Sequence, residues 1–406
     1  MRGALRHLIF FAGLVTVAGS GVLTSRVPDP AFTIPLVAHT REDASREPRY
    51  EENFLPDSTG APDVHAASLV ETRPGRLLAV WYGGSREGAR DVAIYGAAGD
   101  EASSVWKSSG TLVNRVQTSL DLGRYVKTLG NPVLARDGDG RIWLFYVSVS
   151  VGGWSGSALN YRVSNDEGRT WEGARRLVTS PFLNISTLAK GPPLLFDDGS
   201  MGLPVYHEFA GKFGEFLRIS PTGRVMDKAR VTWGRSSLQP VILPTGKETG
   251  VAFLRYAGDP PRRILAAETR DAGSSWGKTR KLGLPNPNAA ISAIRTRDGL
   301  MIMVYNDLEK DRHDLSLAVS RDQGQTWRKV HTFEFVPEPP PGKRRSEFSY
   351  PFMVESSSGN FHLLYTWQKN RVKPVVFNRE WLNMALQTKG KGTGFVPSSN
   401  AEERNG

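Results

Sequence analysis

Six times along the chain a turn glycine precedes a short apolar, aromatic-rich run. The runs are Leu77–Trp81 after Gly75, Ile142–Tyr146 after Gly140 and Met201–Tyr206 after Gly199. Val251–Leu254 follows Gly250, Leu300–Tyr305 follows Gly299 and Phe361–Tyr365 follows Gly359. Apolar runs this short, bounded by turn signals, predict buried strands, since helices need about ten residues or more. Neighbouring glycines lie 65, 59, 51, 49 and 60 residues apart, so one unit of about 50–60 residues recurs six times. Six strand-rich units predict an all-β chain folded as a six-bladed β-propeller. A two-sheet sandwich, or two unrelated all-β domains, is the competing architecture.

A second pattern, [ST]-x-D-x-G-x-[ST]-W, occurs three times: Ser164–Trp171, Thr269–Trp276 and Ser320–Trp327. The aspartate suits a hairpin because it accepts bonds from nearby backbone N–H groups. The glycine permits positive φ, and the tryptophan plugs the loop onto its sheet. Asp166, Asp271 and Asp322 are therefore expected to be structural and peripheral. Degenerate versions fill the same slot at Ser220–Gly223 and from Gly99 to Trp106. The stretch from Tyr50 to Asn53 is expected to close the ring by pairing with the last blade.

Three segments follow. Arg2 and Arg6 precede an uncharged stretch, Leu8–Thr24, rich in Ile9, Phe10, Phe11, Leu14 and Val15. A basic start before a short apolar segment predicts an export signal or membrane anchor over residues 1–27. A buried core helix is the bland alternative. The propeller then spans 28–385, and 386–406 is a polar tail expected to be disordered. The body is placed outside the cytoplasm, periplasmic or extracellular, or held at the inner membrane by its N-terminal segment.

Composition narrows the chemistry. Cys is 0, which excludes disulfides, thiolate metal sites and a cysteine nucleophile. Net charge is +11, which favours anionic partners. No run of five basic residues exists, and the densest is Lys343-Arg344-Arg345, so no nucleic acid partner is expected. No metal spacing and no Gly-rich nucleotide loop are present, and no cofactor is expected.

The three boxes resemble the Asp-boxes of the sialidase superfamily, over about Asn53 to Trp381. The resemblance implies a six-bladed catalytic propeller and a carboxylate clamp of three arginines, which bind an acidic sugar bidentately. Two are matched. Arg312 lies in an R-x-x-L-x-x-x-x-S pattern with Leu315 and Ser320, and Arg255 closes the strand Val251–Leu254. At the first position stands His65, in Val64–Leu69. The family's tyrosine nucleophile matches Tyr350 in Ser349-Tyr350-Pro351, and a phenol needs a base beside it. The family supplies that base as a glutamate on the fourth blade, where this chain reads Ser236-Ser237-Leu238-Gln239-Pro240. Glu208 on the third unit is the substitute carboxylate. The family's acid/base loop matches Gly83–Asp91, which offers Glu87 or Asp91, with Arg86 where sialidases often add an arginine.

The pattern is most similar to a bacterial branch of sialidase-like propellers. That branch shares His65, the Gly83–Gly88 loop, Gln239-Pro240, Asn286-Pro287-Asn288 and Ser349-Tyr350-Pro351. Gln239, Asn131, Lys190 and Asn288, at the starts of their units, are expected to line the pocket. Trp367 and Arg371 are candidates for a sugar platform. The resemblance implies an exported glycoside hydrolase acting on a terminal acidic glycan. A uronic-acid hydrolase or lyase and a non-catalytic glycan-binding propeller are the alternatives.

Overall fold

A computed structural model of the chain describes residues 30–34, 47–56, 60–180, 184–337 and 345–388. The segment expected to direct export lies outside the described residues, as does the tail beyond Thr388. Six antiparallel sheets follow one another around a common axis. Blade 1 runs Asp63–Arg73, Arg76–Gly84, Ala93–Asp100 and Val105–Val113. Blades 2, 4 and 5 repeat this meander from Thr128–Arg136, Ser237–Pro244 and Ser292–Arg295 respectively. In blade 3 the inner strand is split into Leu188–Ala189 and Leu194–Leu195, both paired with Met201–His207. Blade 6 takes its outer strand from the other end of the chain. Tyr50–Glu52 pairs antiparallel with Arg371–Phe377, Tyr50 opposite Phe377, which closes the ring as expected.

The apolar runs form the second strand of each blade. Both faces of such a strand are covered by neighbouring blades, hence the continuous apolar reading rather than alternation. Trp143, Tyr82, Tyr146, Tyr305 and Tyr365 are among the largest fully buried side chains.

The boxes lock each blade to the one before it. Asp271 accepts from the Thr269 hydroxyl and the Ser275 N–H, both at 2.8 Å, and from the Ser275 hydroxyl. Two successive residues are left-handed, Ala272 at φ 50° and Gly273 at φ 90°, so the turn asks more of the backbone than the glycine alone suggested. A β-carbon on Gly273 would lie 2.6 Å from the Phe216 ring of blade 3. Only glycine satisfies both the φ and that approach. Trp276 meets the same ring edge-on at 6.3 Å. Gly324 seats against Phe253, Gly168 against Leu78 and Gly223 against Tyr161 in the same way.

Two seams use other devices. Glu101, in the box slot of blade 1, accepts at 2.7–2.9 Å from Ser356, Ser358, Asn360 and His362 of blade 6. After blade 6 the chain forms the helix Arg379–Thr388, whose Trp381 stacks on Tyr50 at 4.8 Å and meets His331 of blade 5 at 5.0 Å. That helix carries regular structure past residue 385, because Trp381 and the fully buried Leu382 anchor it.

Candidate functional site

At the opposite face from the boxes, the inner strands break their pairing. Register shifts fall between His65 and Ser68, Gly130 and Val133, Leu238 and Val241, and Ser349 and Phe352. The residue at each break is left-handed: Ala66 φ 50°, Asn131 φ 45°, Gln239 φ 51° and Tyr350 φ 53°. Asn288, ahead of blade 5, has φ 58°. A β-bulge re-aims a side chain and tolerates proline, and Asn131, Gln239 and Tyr350 are each followed by one. Holding a non-glycine residue left-handed costs about 1 kcal/mol, a cost repeated at the same place in successive blades. The sequence thus delivers Asn131, Gln239, Asn288 and Tyr350 to one axial mouth by one backbone device.

The second strands end there too. Arg255 Nε donates to Asn288 Oδ1 at 2.7 Å, and its Nη1 donates to Gln239 Oε1 at 3.1 Å. Arg312 Nη2 donates to the Asn288 carbonyl at 2.9 Å, so one asparagine ties both guanidinium groups. Arg312 also pairs with Glu347 at 3.0 Å, and its guanidinium carbon lies 5.8 Å from the centre of the Tyr350 ring. His65 meets Tyr350 edge-on at 5.8 Å and packs 5.7 Å from Tyr82. Its Nε2 contacts Asp63 Oδ1 at 2.8 Å, while Asp63 Oδ2 accepts from the Glu87 N–H at 2.9 Å. Across the mouth, Tyr206 OH accepts from Asn131 Nδ2 at 2.9 Å and from Gln239 Nε2 at 3.4 Å. Contacts therefore run unbroken from the Glu87 N–H through Asp63, His65, Tyr350, Arg312, Asn288, Arg255, Gln239 and Tyr206 to Asn131, and all six blades contribute.

The electrostatics follow from burial and from these neighbours. Burial pushes the Arg255 guanidinium below its ordinary value, and Arg312 adds to that. Glu208 is raised by burial against the opposing pull of Lys212 and Arg255. Burial would raise Asp63, but the His65 contact and the Glu87 N–H outweigh it and hold the carboxyl low. Glu347 is likewise held low, since Arg312 and Lys369 outweigh its burial. Burial, with Glu87 nearby, raises Tyr82 well above the usual phenol range.

The sequence candidates divide into groups. His65, Arg255, Arg312, Gln239, Asn288 and Tyr350 come together in the chain of contacts. Glu87 joins through its backbone, with its side chain exposed toward solvent. Glu208 stands beside Arg255 and Tyr206 in charge terms. Arg86 is exposed on the same loop. Asp91 turns back on its own loop: its two oxygens accept from the Ser85 N–H at 2.9 Å and hydroxyl at 3.0 Å. Those bonds outweigh its slight burial and hold it below the usual carboxylate range. Trp367 and Arg371 are engaged with Phe54, at 5.3 and 3.9 Å. Sequence reasoning missed Asp63, Tyr82, Tyr206, Glu347 and Lys369. Asp63 had a findable signal, an acidic residue two places before His65 on a strand, where side chains at that spacing share a face.

This ring of blades, boxed on one face and carrying an arginine pair beside a tyrosine on the other, is of the sialidase-type propeller class. NanB sialidase from Streptococcus pneumoniae, as its K499G mutant, aligns with a TM-score of 0.63 and 11% identity, over 80% of this chain and 70% of that one. The intramolecular trans-sialidase from Ruminococcus gnavus, solved with oseltamivir carboxylate, aligns at 0.62 and 13%, over 81% and 97%. A Dyadobacter fermentans protein of unknown function aligns at 0.63 and 13%, over 81% and 98%. At these identities the likeness is one of fold. A sequence model of the BNR repeat-like domain family matches residues 75–363, and the chain belongs to that family. No curated protein matches the sequence.

Proposed function

We propose that the protein is an exported glycosidase-type enzyme that acts on a terminal acidic sugar at the mouth of the propeller. One observation carries the reading: Arg255 and Arg312 converge on Asn288 immediately beside Tyr350. Two guanidinium groups so placed suit a sugar carboxylate, and charge-assisted bonds of this kind contribute roughly 1.5–3 kcal/mol each. Tyr350 faces the bound ring as nucleophile or as stabiliser of developing positive charge. Glu87 or Glu208 supplies the proton for the leaving group, and Glu208 is the better prepared because its burial favours the protonated form. Solved structures of this fold include a sialidase and an intramolecular trans-sialidase bound to oseltamivir carboxylate, which supports a carboxylated sugar without naming it. Export rests on the basic start and apolar segment of the N-terminus.

The Asp63–His65–Tyr350 succession favours a second reading, elimination from a uronic acid. Neutralisation of the carboxylate by the arginines acidifies the adjacent C–H. His65, oriented by Asp63, would take that proton, the C–O bond to the neighbouring sugar would break as the C=C bond forms, and the Tyr350 hydroxyl would protonate the departing oxygen.

The test is release of a fluorescent leaving group from an α-sialoside beside a panel of α- and β-uronides. Turnover of the sialoside that is lost in Arg312→Ala and Tyr350→Phe supports the first reading. An unsaturated product absorbing in the ultraviolet, formed from a uronide only, supports the second. Binding of an acidic glycan without turnover, unchanged in Tyr350→Phe, would make the propeller a lectin and sink both.

A further inference from the structure

Lys190 is a buried lysine that the reaction sketched above does not use. It follows the short strand Leu188–Ala189 where blade 3 breaks its pairing, and the residue is 2% exposed. Its amine donates to the Pro351 carbonyl of blade 6 at 3.4 Å and lies 4.9 Å from the centre of the Phe352 ring. Among the described residues it makes no ion pair, and burial alone pushes the amine down to about 7. The next residue, Gly191, is pressed onto blade 4: a β-carbon there would lie 2.3 Å from the Pro240 carbonyl oxygen. The break in blade 3 is thereby wedged between the bulge that carries Gln239 and the bulge that carries Tyr350.

Burying an amine without a carboxylate is unfavourable, and a methionine or leucine would fill the same space at less cost. What the amine adds is a donor that reaches the carbonyl of Pro351, the residue directly after Tyr350, whose own left-handed φ of 53° sets where the phenol points. Loss of that donor leaves the Pro351 carbonyl without its partner from blade 3 and frees the turn to relax.

We propose that Lys190 is a positioning residue for Tyr350. Its amine spans the axis from blade 3 to blade 6 and holds the turn that keeps the phenol beside Arg312. This rests on the reading of Tyr350 as part of the working site.

The experiment compares the full-length protein with Lys190→Met and Lys190→Gln by three readouts. These are thermal midpoint, steady-state kinetics on whichever acidic glycoside the wild type cleaves, and the 19F resonance of 3-fluorotyrosine installed in place of Tyr350. For Lys190→Met the expected result is an equal or higher Tm, kcat at least tenfold lower, KM within about twofold, and a shifted or broadened 19F line. Lys190→Gln, which keeps a donor, recovers part of kcat. Unchanged turnover, or Tm and turnover falling together, would overturn the proposal, because a residue that merely fills the core moves both. If the wild type cleaves nothing, the functional reading fails on its own account. The 19F comparison then still decides, and an unaltered line in Lys190→Met refutes the role.

Discussion

On the box face, carboxylates are surrounded by donors. Asp166 and Asp322 each accept from a neighbouring hydroxyl, a backbone N–H and a second hydroxyl, which hold them at about 2. Glu101 gathers four side chains across a blade seam. On the mouth face Arg312 is paired with Glu347, but other charges have only neutral partners. Arg255 is held by the amide oxygens of Gln239 and Asn288, Lys190 by a backbone carbonyl, and Glu208 is raised rather than lowered. Neutral acceptors orient a cation without cancelling it. The ring thus separates its duties: charges that hold the blades together are matched within the protein, whereas Arg255 at the mouth is left for a guest.

If that separation is real, the two faces should respond differently to substitution. The largest effect is expected at Arg255. Arg255→Ala should lower kcat/KM, or glycan affinity, by about 100-fold, the equivalent of about 3 kcal/mol, while Tm stays within a few degrees, because the residue removed was a half-buried cation with neutral partners. A collapse of both in chemical denaturation would show that the mouth is structural after all. Next comes the seam. Glu101→Gln should cost about 2 kcal/mol and leave turnover alone, since buried donors lose a charged acceptor. The folded carboxyl of Glu101 titrates well below its ordinary value of 4.5. Its stabilisation is therefore complete above that pH and drains away as the pH falls below it. Urea midpoints taken from pH 7 to pH 3 should fall less steeply in the variant than in the wild type. The smallest effect belongs to a single box. Asp271→Asn should cost about 1 kcal/mol, because its bonds are partly exposed, with kinetics unaltered. A kinetic change there would mean that the faces communicate.

How much of this could be read from the chain depends on repetition. The boxes and the glycine-led strands recur, so a slot seen three times identified its degenerate copies, and the stretch from Tyr50, standing ahead of the first unit, could be assigned to the last blade. Gln239, Asn288 and Tyr350 were legible for a similar reason, each standing at the start of a unit. The residues missed occur once. Tyr82 and Tyr206 close apolar strands and read as core aromatics, and burial is indeed what shifts them. Glu347 and Lys369 matter only because loops from blades 5 and 6 bring Arg312 and Lys369 to the same carboxylate. No spacing along a single strand announces such a meeting. Asp91 shows the converse: a carboxylate in the right loop was claimed by the nearest serine.

The closing strand also orders events in time. Arg49, just before Tyr50, bonds Asn378, 329 residues further along the chain. A ribosome adding about ten residues per second needs roughly half a minute to make that span. Through that interval the strand Tyr50–Glu52 has no partner, and blade 6 receives its outer edge only once Arg371–Phe377 has been made. Any truncated product, however many whole blades it contains, is left with an unpaired edge on one side of the gap. The ring therefore closes only in molecules that carry both of these distant segments.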